Sequence, residues 1–597
     1  MAVSPGANAD EIVTIEVSVN GSVIKETYEV VRIDVIKEIN RIPVATVVLN
    51  DGDPSSLTFD ASNSSDFVPG SAIVIKAGYE STNTEIFTGV IVRHGIQVQD
   101  NGLSYLSLTC ADKAIAMTVA RNNRQFANST DSAVMAKLIG DAGLSAAVDS
   151  TSVEHEYLVQ YYATDWDYVL SRADVNEMVT IVDAGKVTVT KPKFDDPPLT
   201  VQFGDSLTSF EGEVDAVSQL SSVSARSWDP GSQALQTGTS SEPSVNNQSN
   251  LSGTTLASVL SVSSYELQTQ GTASTDELTA WANSSLLKSR LAKVQGKVAF
   301  NGSALAEPGT TLEIKGLGDR LDGNAYISAV RHLIASGHWE TEAGFGLSQH
   351  WFADLRPRIQ APPASGLRPA ASGLQIAKVK QVYEDPQGQR RILVTWPLMG
   401  DGGPDGIWVR IAAPYASNNA GMVFLPEVGD EVVLGFLGND PTAAVVLGSL
   451  HSSQLTAPFE PDDQNTNKGI VTRAQLKMTF DDVKKVTVIS TPGGHTMTFS
   501  DDNQSITLVD SNSNKLEMNS SGITMSSPSD INISADGNVS IKGQGGIDIL
   551  SSPASVSMKG MNVSISADTS LSASGGSDAS FTASGTTTVK GAMVMIN

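Results

Sequence analysis

Pairs of apolar residues set two apart return about every eight residues through the C-terminal part of the chain. They are Ile523 and Met525, Ile531 and Ile533, Val539 and Ile541, Ile547 and Ile549, Val556 and Met558, Val563 and Ile565, Leu571 and Ala573, and Ala579 and Phe581. Serine, aspartate, glycine and asparagine fill the intervals. Residues i and i+2 of an extended chain point to one side, so each unit reads as a short strand with a single apolar face, followed by a turn. Such a strand cannot bury that face alone. Either successive coils of one chain or equivalent strands of other chains must close it. About eight residues are few for a full coil, which favours three intertwined chains, each supplying one strand per layer, in a closed threefold assembly. A disordered serine-rich tail would not keep the pairs in register over so many repeats.

Ahead of the repeat, the 597 residues are too many for one core and call for several domains. From Ile12 to Thr109, alternating segments such as Val44 to Leu49 are broken by the turn pairs Asn20-Gly21 and Asp51-Gly52, a β pattern. A helix is expected from Val134 to Ile139, with Asp131 or Ser132 as N-cap and Gly140 or Gly143 as stop, and another from Asp165 to Val175. Strands resume from Val179 to about Trp228. The Ser-, Gly-, Gln- and Asn-rich stretch from Asp229 to Gly253 reads as an exposed loop or insertion. A helix starting at Thr275 and covering Leu278 to Ala292 precedes further strands from Val294 to Gly346. The expected organisation is a base over 1–356, a linker over 357–374, a small barrel over 375–455, a second linker over 456–469 and the repeat over 470–597.

A formal charge of −26, from 39 basic and 65 acidic residues, argues against a nucleic-acid partner. The clusters Arg390-Arg391 and Lys484-Lys485 are too small to offset it. The single cysteine, Cys110, lies in an apolar run and reads as a core thiol. The N-terminus lacks the basic flank and apolar stretch of a signal peptide, and no apolar run reaches membrane-spanning length, so cytoplasmic synthesis and assembly are expected.

From Ile376 onwards the residue order becomes specific: Val379, Asp385, Gly388, Arg390 to Val394, Trp396-Pro397 and Trp408 to Ile411. Gly421 to Phe436 follows, containing Pro426-Glu427-Val428-Gly429-Asp430-Glu431-Val432, then Gly438 to Pro441 and Val446 to Leu450. This resembles the OB-fold domain of VgrG-type and phage-baseplate spike proteins. Leu108 to Asp112, Val159 to Arg172 and the terminal Lys590 to Asn597 resemble the same family more weakly.

The resemblance implies a mainly β chain: a base of two tube-like β-barrel domains with helical decoration, an OB-fold collar, and a trimeric β-prism or triple-stranded β-helix. Trp408, Arg410, Pro426, Glu427, Gly429, Asp430 and Glu431 would be structural collar residues. It implies a homotrimeric, non-enzymatic spike at the tip of a contractile injection system, with an inner-tube (Hcp-like) protein, baseplate or hub proteins and a PAAR-like tip protein as partners. The cap would sit on Met593, Val594, Met595, Ile596 and Asn597, whose strand ends would otherwise be an open edge. Contact with the target membrane would be transient. The stretch from His451 to Lys468 is too short for an inserted lysozyme domain. No effector is expected after Asn597, which together with the divergent N-terminal part favours an extracellular particle over a type VI machine.

Catalytic chemistry finds little footing. His155-Glu156 opens a zinc-protease pattern, but Val159 stands where the second histidine belongs. The pairs Asp462-Asp463, Asp481-Asp482 and Asp501-Asp502 read as solvated turns, because adjacent residues on a strand face opposite ways. Gly543 to Gly546 lacks the Lys-Ser or Lys-Thr of a phosphate loop and reads as a turn. The seven histidines show no ligand spacing, and no metal or cofactor is expected. Trp339, Trp351 and Phe352 read as core or interface. The competing reading is a trimeric β-helical tailspike that binds or cleaves surface glycans. It is weakened because Phe499 and Phe581 are the only aromatics after Thr498.

Overall fold

The computed structural model describes residues 2–8, 11–100, 102–356, 358–400 and 406–596. It divides into two compact units, 1–450 and 451–597.

The first unit is organised by one long sheet whose strands come from two separate stretches, 13–111 and 199–345. Strand Gly323–Ala335 pairs with Val30–Glu38, placing Ala335 opposite Arg32 and Ala329 opposite Glu38. That ladder joins two β cores. One contains Ile33, Val35, Val47, Leu49, Ile73, Phe87 and Leu106, and the other Val298, Phe300, Ile314, Ile327 and Phe345. Period-two alternation produces both, since every second side chain of Val30–Glu38 and Val44–Asn50 points inward. The guanidinium of Arg331 grips Asp34 across the ladder, Nε to Oδ1 at 2.8 Å and Nη2 to Oδ2 at 2.7 Å. Cys110 is a buried core thiol pushed up to about 12 by desolvation.

Helices cover the flank. The first runs Asp131–Asp141 and stops before Gly143, whose φ of +74° a residue with a side chain would resist. The second is Asp165–Val175, as its sequence pattern predicts. The N-cap of the first helix is Thr130, not Asp131 or Ser132: Thr130 Oγ1 accepts from the Ala133 N–H at 3.3 Å. Asp131 is buried instead. It accepts from Arg172 (Nε 2.5 Å, Nη2 2.8 Å) and Asn176 (Nδ2 2.8 Å), and lies 3.2 Å from His155 Nε2.

The stretch from Asp229 to Gly253 is largely exposed, as its composition predicts, but it is not loop throughout. Ala234–Thr239 is a strand antiparallel to Val223–Asp229, and Gln248 is buried. A Cβ on Gly238 would come within 2.3 Å of the backbone of Thr279, so the strand lies against the helix Thr275–Leu291. Glu242 pairs with Arg290 at 2.7 Å. At Gly238 the missing side chain serves close approach to a helix some forty residues later, which composition alone does not reveal.

The unit ends in a closed five-stranded barrel of Gln375–Gln381, Ile392–Thr395, Ile407–Ile411, Ala444–Ser449 and Glu431–Phe436. Val379, Ile392, Val394, Val409, Val432, Leu434 and Val446 fill it. The second unit carries seven strands, Asn467–Val471 to Gly522–Ser526, each paired antiparallel with the next. One strand per layer from each chain was expected; between Asn467 and Ser526 the strands pair within the chain, because turns of a few residues return each strand beside the last. Among the described residues from 527 to 596 no strand forms within the chain.

Burial alone would raise the Asp131 carboxyl, but the hydrogen bonds from Arg172 and Asn176 outweigh it and hold the group below its ordinary value of 3.8. A carboxylate lowered in the folded state stabilises above its unfolded pKa, and that contribution fades as pH falls through the folded value. Asp131→Asn leaves the half-buried Arg172 guanidinium without its counter-charge and should cost about 2 kcal/mol at pH 7 in urea unfolding. The gap to the native protein should narrow as the pH is taken below about 4.

Candidate functional site

The collar signature resolves into two turns that lock barrel strands together. In the first, the Glu427 N–H donates to Asp430 Oδ2 at 2.8 Å and the Asp430 N–H donates to the Glu427 carbonyl at 3.1 Å. Gly429 has φ +96°, in the left-handed region. Its N–H donates to the Val379 carbonyl at 2.8 Å, and the Val379 N–H donates to the Asp430 carbonyl at 2.9 Å. Glu431 then enters its strand opposite Lys378. Pro426, half-buried, precedes this turn. Trp408, half-buried, lies opposite Leu393, and the exposed Arg410 opposite Val445.

In the second turn, Asp385 accepts from the N–H groups of Gln387, Gln389 and Arg391 at 3.1, 2.8 and 3.2 Å and from Arg391 Nη2 at 2.6 Å. The Arg391 guanidinium chiefly holds this carboxyl well below the usual range. Both aspartates accept backbone N–H groups, which fixes the two turns.

The other chemical candidates are similarly occupied. His155 faces Asp131 rather than a metal-ligand set, and among the described residues no group of three or more His, Cys, Asp or Glu is placed to hold a metal ion. Asp481 accepts from the N–H groups of Val483 and Lys484, and Asp462 from those of Gln464 and Thr466, so both cap turns. Asp501 and Asp502 are exposed at a turn, and residues 543–546 form no strand. Trp339 is buried and stacks on Tyr79 with ring centroids 5.5 Å apart, Trp351 lies 5.0 Å from Lys288 Nζ, and Phe352 is half-buried.

The surface that stands out belongs to the seven-stranded sheet. Register places Ile470 opposite Met478, Met478 opposite Ile489, and so on through Met497, Leu508, Leu516 and Met525, one apolar row crossing all seven strands. Two residues along each strand, a parallel row on the same face runs Lys468, Phe480, Thr487, Phe499, Ile506, Met518 and Ile523. The central row of the opposite face is Gly469, Thr479, Val488, Thr498, Thr507, Glu517 and Thr524, nearly all polar. In the single chain the apolar face lies open: Leu508 is 52 % exposed and Met525 59 %.

Fully burying side chains of this size is worth about 1.5–3 kcal/mol each. A contiguous apolar surface of this kind marks an interaction site. The pairs from Ile523 onwards are only the later half of this pattern. The signal was present as Met478 with Phe480, Met497 with Phe499, Ile506 with Leu508 and Leu516 with Met518. Beyond Ser526 the repeat pairs are also open, Ile533 at 71 % and Ile541 at 67 %. Met593, Val594, Met595 and Ile596 are exposed, and Asn597 lies outside the described residues.

Three family models match the chain: the Alg8 N-terminal domain over residues 9–336, the type VI secretion system/phage-baseplate injector OB domain over 375–451, and the phage baseplate V C-terminal trimerisation domain over 485–572. A similar relative is the type VI secretion system spike protein VgrG5 of Pseudomonas aeruginosa, 28% identical over 142 residues, covering 22% of this chain and 17% of that one. The actin cross-linking toxin VgrG1 of Vibrio cholerae is 25% identical over 123 residues, covering 20% and 10%. The matched stretches span less than a fifth of the length of the first curated relatives. Among solved structures, the 43 kDa tail protein of prophage MuSo2 from Shewanella oneidensis aligns with a TM-score of 0.43 and 11% identity, over 56% of this chain and 99% of that one.

Gly429→Val forces a β-branched residue into a left-handed conformation and should cost about 1–3 kcal/mol. The expected result is faster hydrogen exchange of the Glu431–Phe436 amides. The core of residues 30–110 should keep its exchange rates.

Proposed function

We propose, from the premise that this chain belongs to the family of the Alg8 N-terminal domain, matched over more than half its length, that it is a structural spike of a contractile injection system. The resemblance to VgrG-like spikes read from the collar residues agrees with the OB-domain and trimerisation-domain matches. The observation that carries the reading is the order of parts along the chain. A barrel whose signature residues are spent on turns is followed by a sheet and a long repeat whose apolar side chains have no cover in their own chain. Three copies would cover them.

In this reading the chain trimerises and joins a tube and baseplate to a needle. It does so by mechanical strength rather than catalysis, since its candidate carboxylates serve backbone turns. An inner-tube (Hcp-like) protein, hub proteins and a PAAR-like cap on Met593 to Ile596 are the partners proposed, and the exposure of those four residues is what supports the cap. The spike acts outside the cytoplasm as part of a released or secreted particle. Among the described residues no helix is long and apolar enough to cross a membrane. A glycan-processing tailspike gains no support: Phe499 lies on the same face as the apolar row, in the row beside it, opposite Thr487 and Ile506.

Light scattering of the purified chain should give a mass about three times 62.6 kDa, with tapered rods in negative stain of the same peak. A compact monomer would overturn the reading. Release of reducing sugar from a surface polysaccharide would replace it with the tailspike.

A further inference from the structure

We infer that the apolar face of the Asn467–Ser526 sheet is the seed of assembly: it docks onto the same face of two further copies of this chain, and only then does the segment from 527 to 596 pair between chains. This rests on the trimeric reading above and adds to it which surface recognises the other copies and in what order the needle forms.

Two halves of the same C-terminal unit satisfy their backbones differently. From Asn467 to Ser526 every strand pairs with its neighbour in the chain, so an isolated copy already presents its side-chain rows in fixed register. From 527 to 596 the described residues form no strand within the chain, although their apolar pairs continue. The seam falls at Pro528, which has no N–H to extend the ladder beyond Ser526.

Docking of the preformed face orders few new torsions, whereas pairing of the later segment must order its whole backbone in the same event. The first is therefore the accessible nucleus, and it raises the local concentration of the second. The occupant is a copy of the same chain for two reasons. The match to a trimerisation domain begins at residue 485, within this sheet, and continues past the seam. The two faces also differ sharply, so that three copies can enclose the apolar rows and leave residues such as Thr498, Thr507 and Glu517 to water.

The test uses three full-length variants, light scattering and hydrogen exchange. Met497→Lys with Leu508→Lys places charge at two facing positions of the apolar row. Thr498→Lys with Thr507→Lys places the same charge on the opposite face of the same strands. Ile541→Asp with Ile549→Asp alters only the later segment. The first variant should be monomeric, with amides from 530 to 596 exchanging at least tenfold faster than in the native protein. The second should remain trimeric. The third should remain trimeric, with protected amides from 467 to 526 and fast exchange after 530. In pulse-labelled refolding of the native chain, protection of 467–526 should precede that of 530–596.

A monomeric third variant, a trimeric first variant with a protected C-terminal segment, or equal loss of trimer in the first two would overturn the proposal while leaving the trimeric spike intact. A native chain that is itself monomeric would remove the trimeric reading and the proposal with it.

Discussion

An apolar sheet face cannot be left in water, and a sheet one layer thick has nothing within itself to cover that face. This constraint governs the C-terminal unit. Seven strands satisfy each other's backbones and line up Ile470, Met478, Ile489, Met497, Leu508, Leu516 and Met525 across one side. Hydrogen bonding is complete enough to set the register, while burial is not complete at all. The two requirements of a stable fold are thus divided between the chain and its neighbours, and the same division is carried further after Ser526, where both are left to neighbours.

The first unit meets the same constraint internally. Its two β cores share a continuous ladder between Val30–Glu38 and Gly323–Ala335, and the Asp34–Arg331 pair bridges that ladder across almost three hundred residues of sequence. On its flank, Asp131 with Arg172 and Asp174 with Lys288 tie helices to one another. These contacts connect segments far apart in the chain, so loosening one is felt in two elements.

The acidic residues illustrate how composition turns into structure. A net charge of −26 suggests a surface property, yet Asp385, Asp430, Asp462 and Asp481 each accept backbone N–H groups at a turn. Asp385, Asp462 and Asp481 open their turns and accept from N–H groups two to four positions on, whereas Asp430 closes its turn and accepts from Glu427 three positions back. Within the sheet that carries the apolar rows, Asp481 serves the reversal from Lys477–Asp481 to Val486–Ser490 in this way.

The sequence alone determined the mainly β class, the small barrel after Ile376, the helix from Asp165 to Val175 and the one-faced character of the C-terminal repeat. Each follows from residues close together in the chain: period-two alternation, capping signals and the Pro426 to Val432 run. Tertiary structure alone decided what depends on distant partners. It made Asp131 a buried ion-pair member instead of a cap, turned the polar stretch after Asp229 into a strand against a helix, and set the Asn467–Ser526 strands beside one another. Local pattern specifies which face of a strand is apolar, because side chains alternate with period two. It cannot specify what covers that face, because burial is settled by whatever the rest of the chain, or another copy of it, brings into contact.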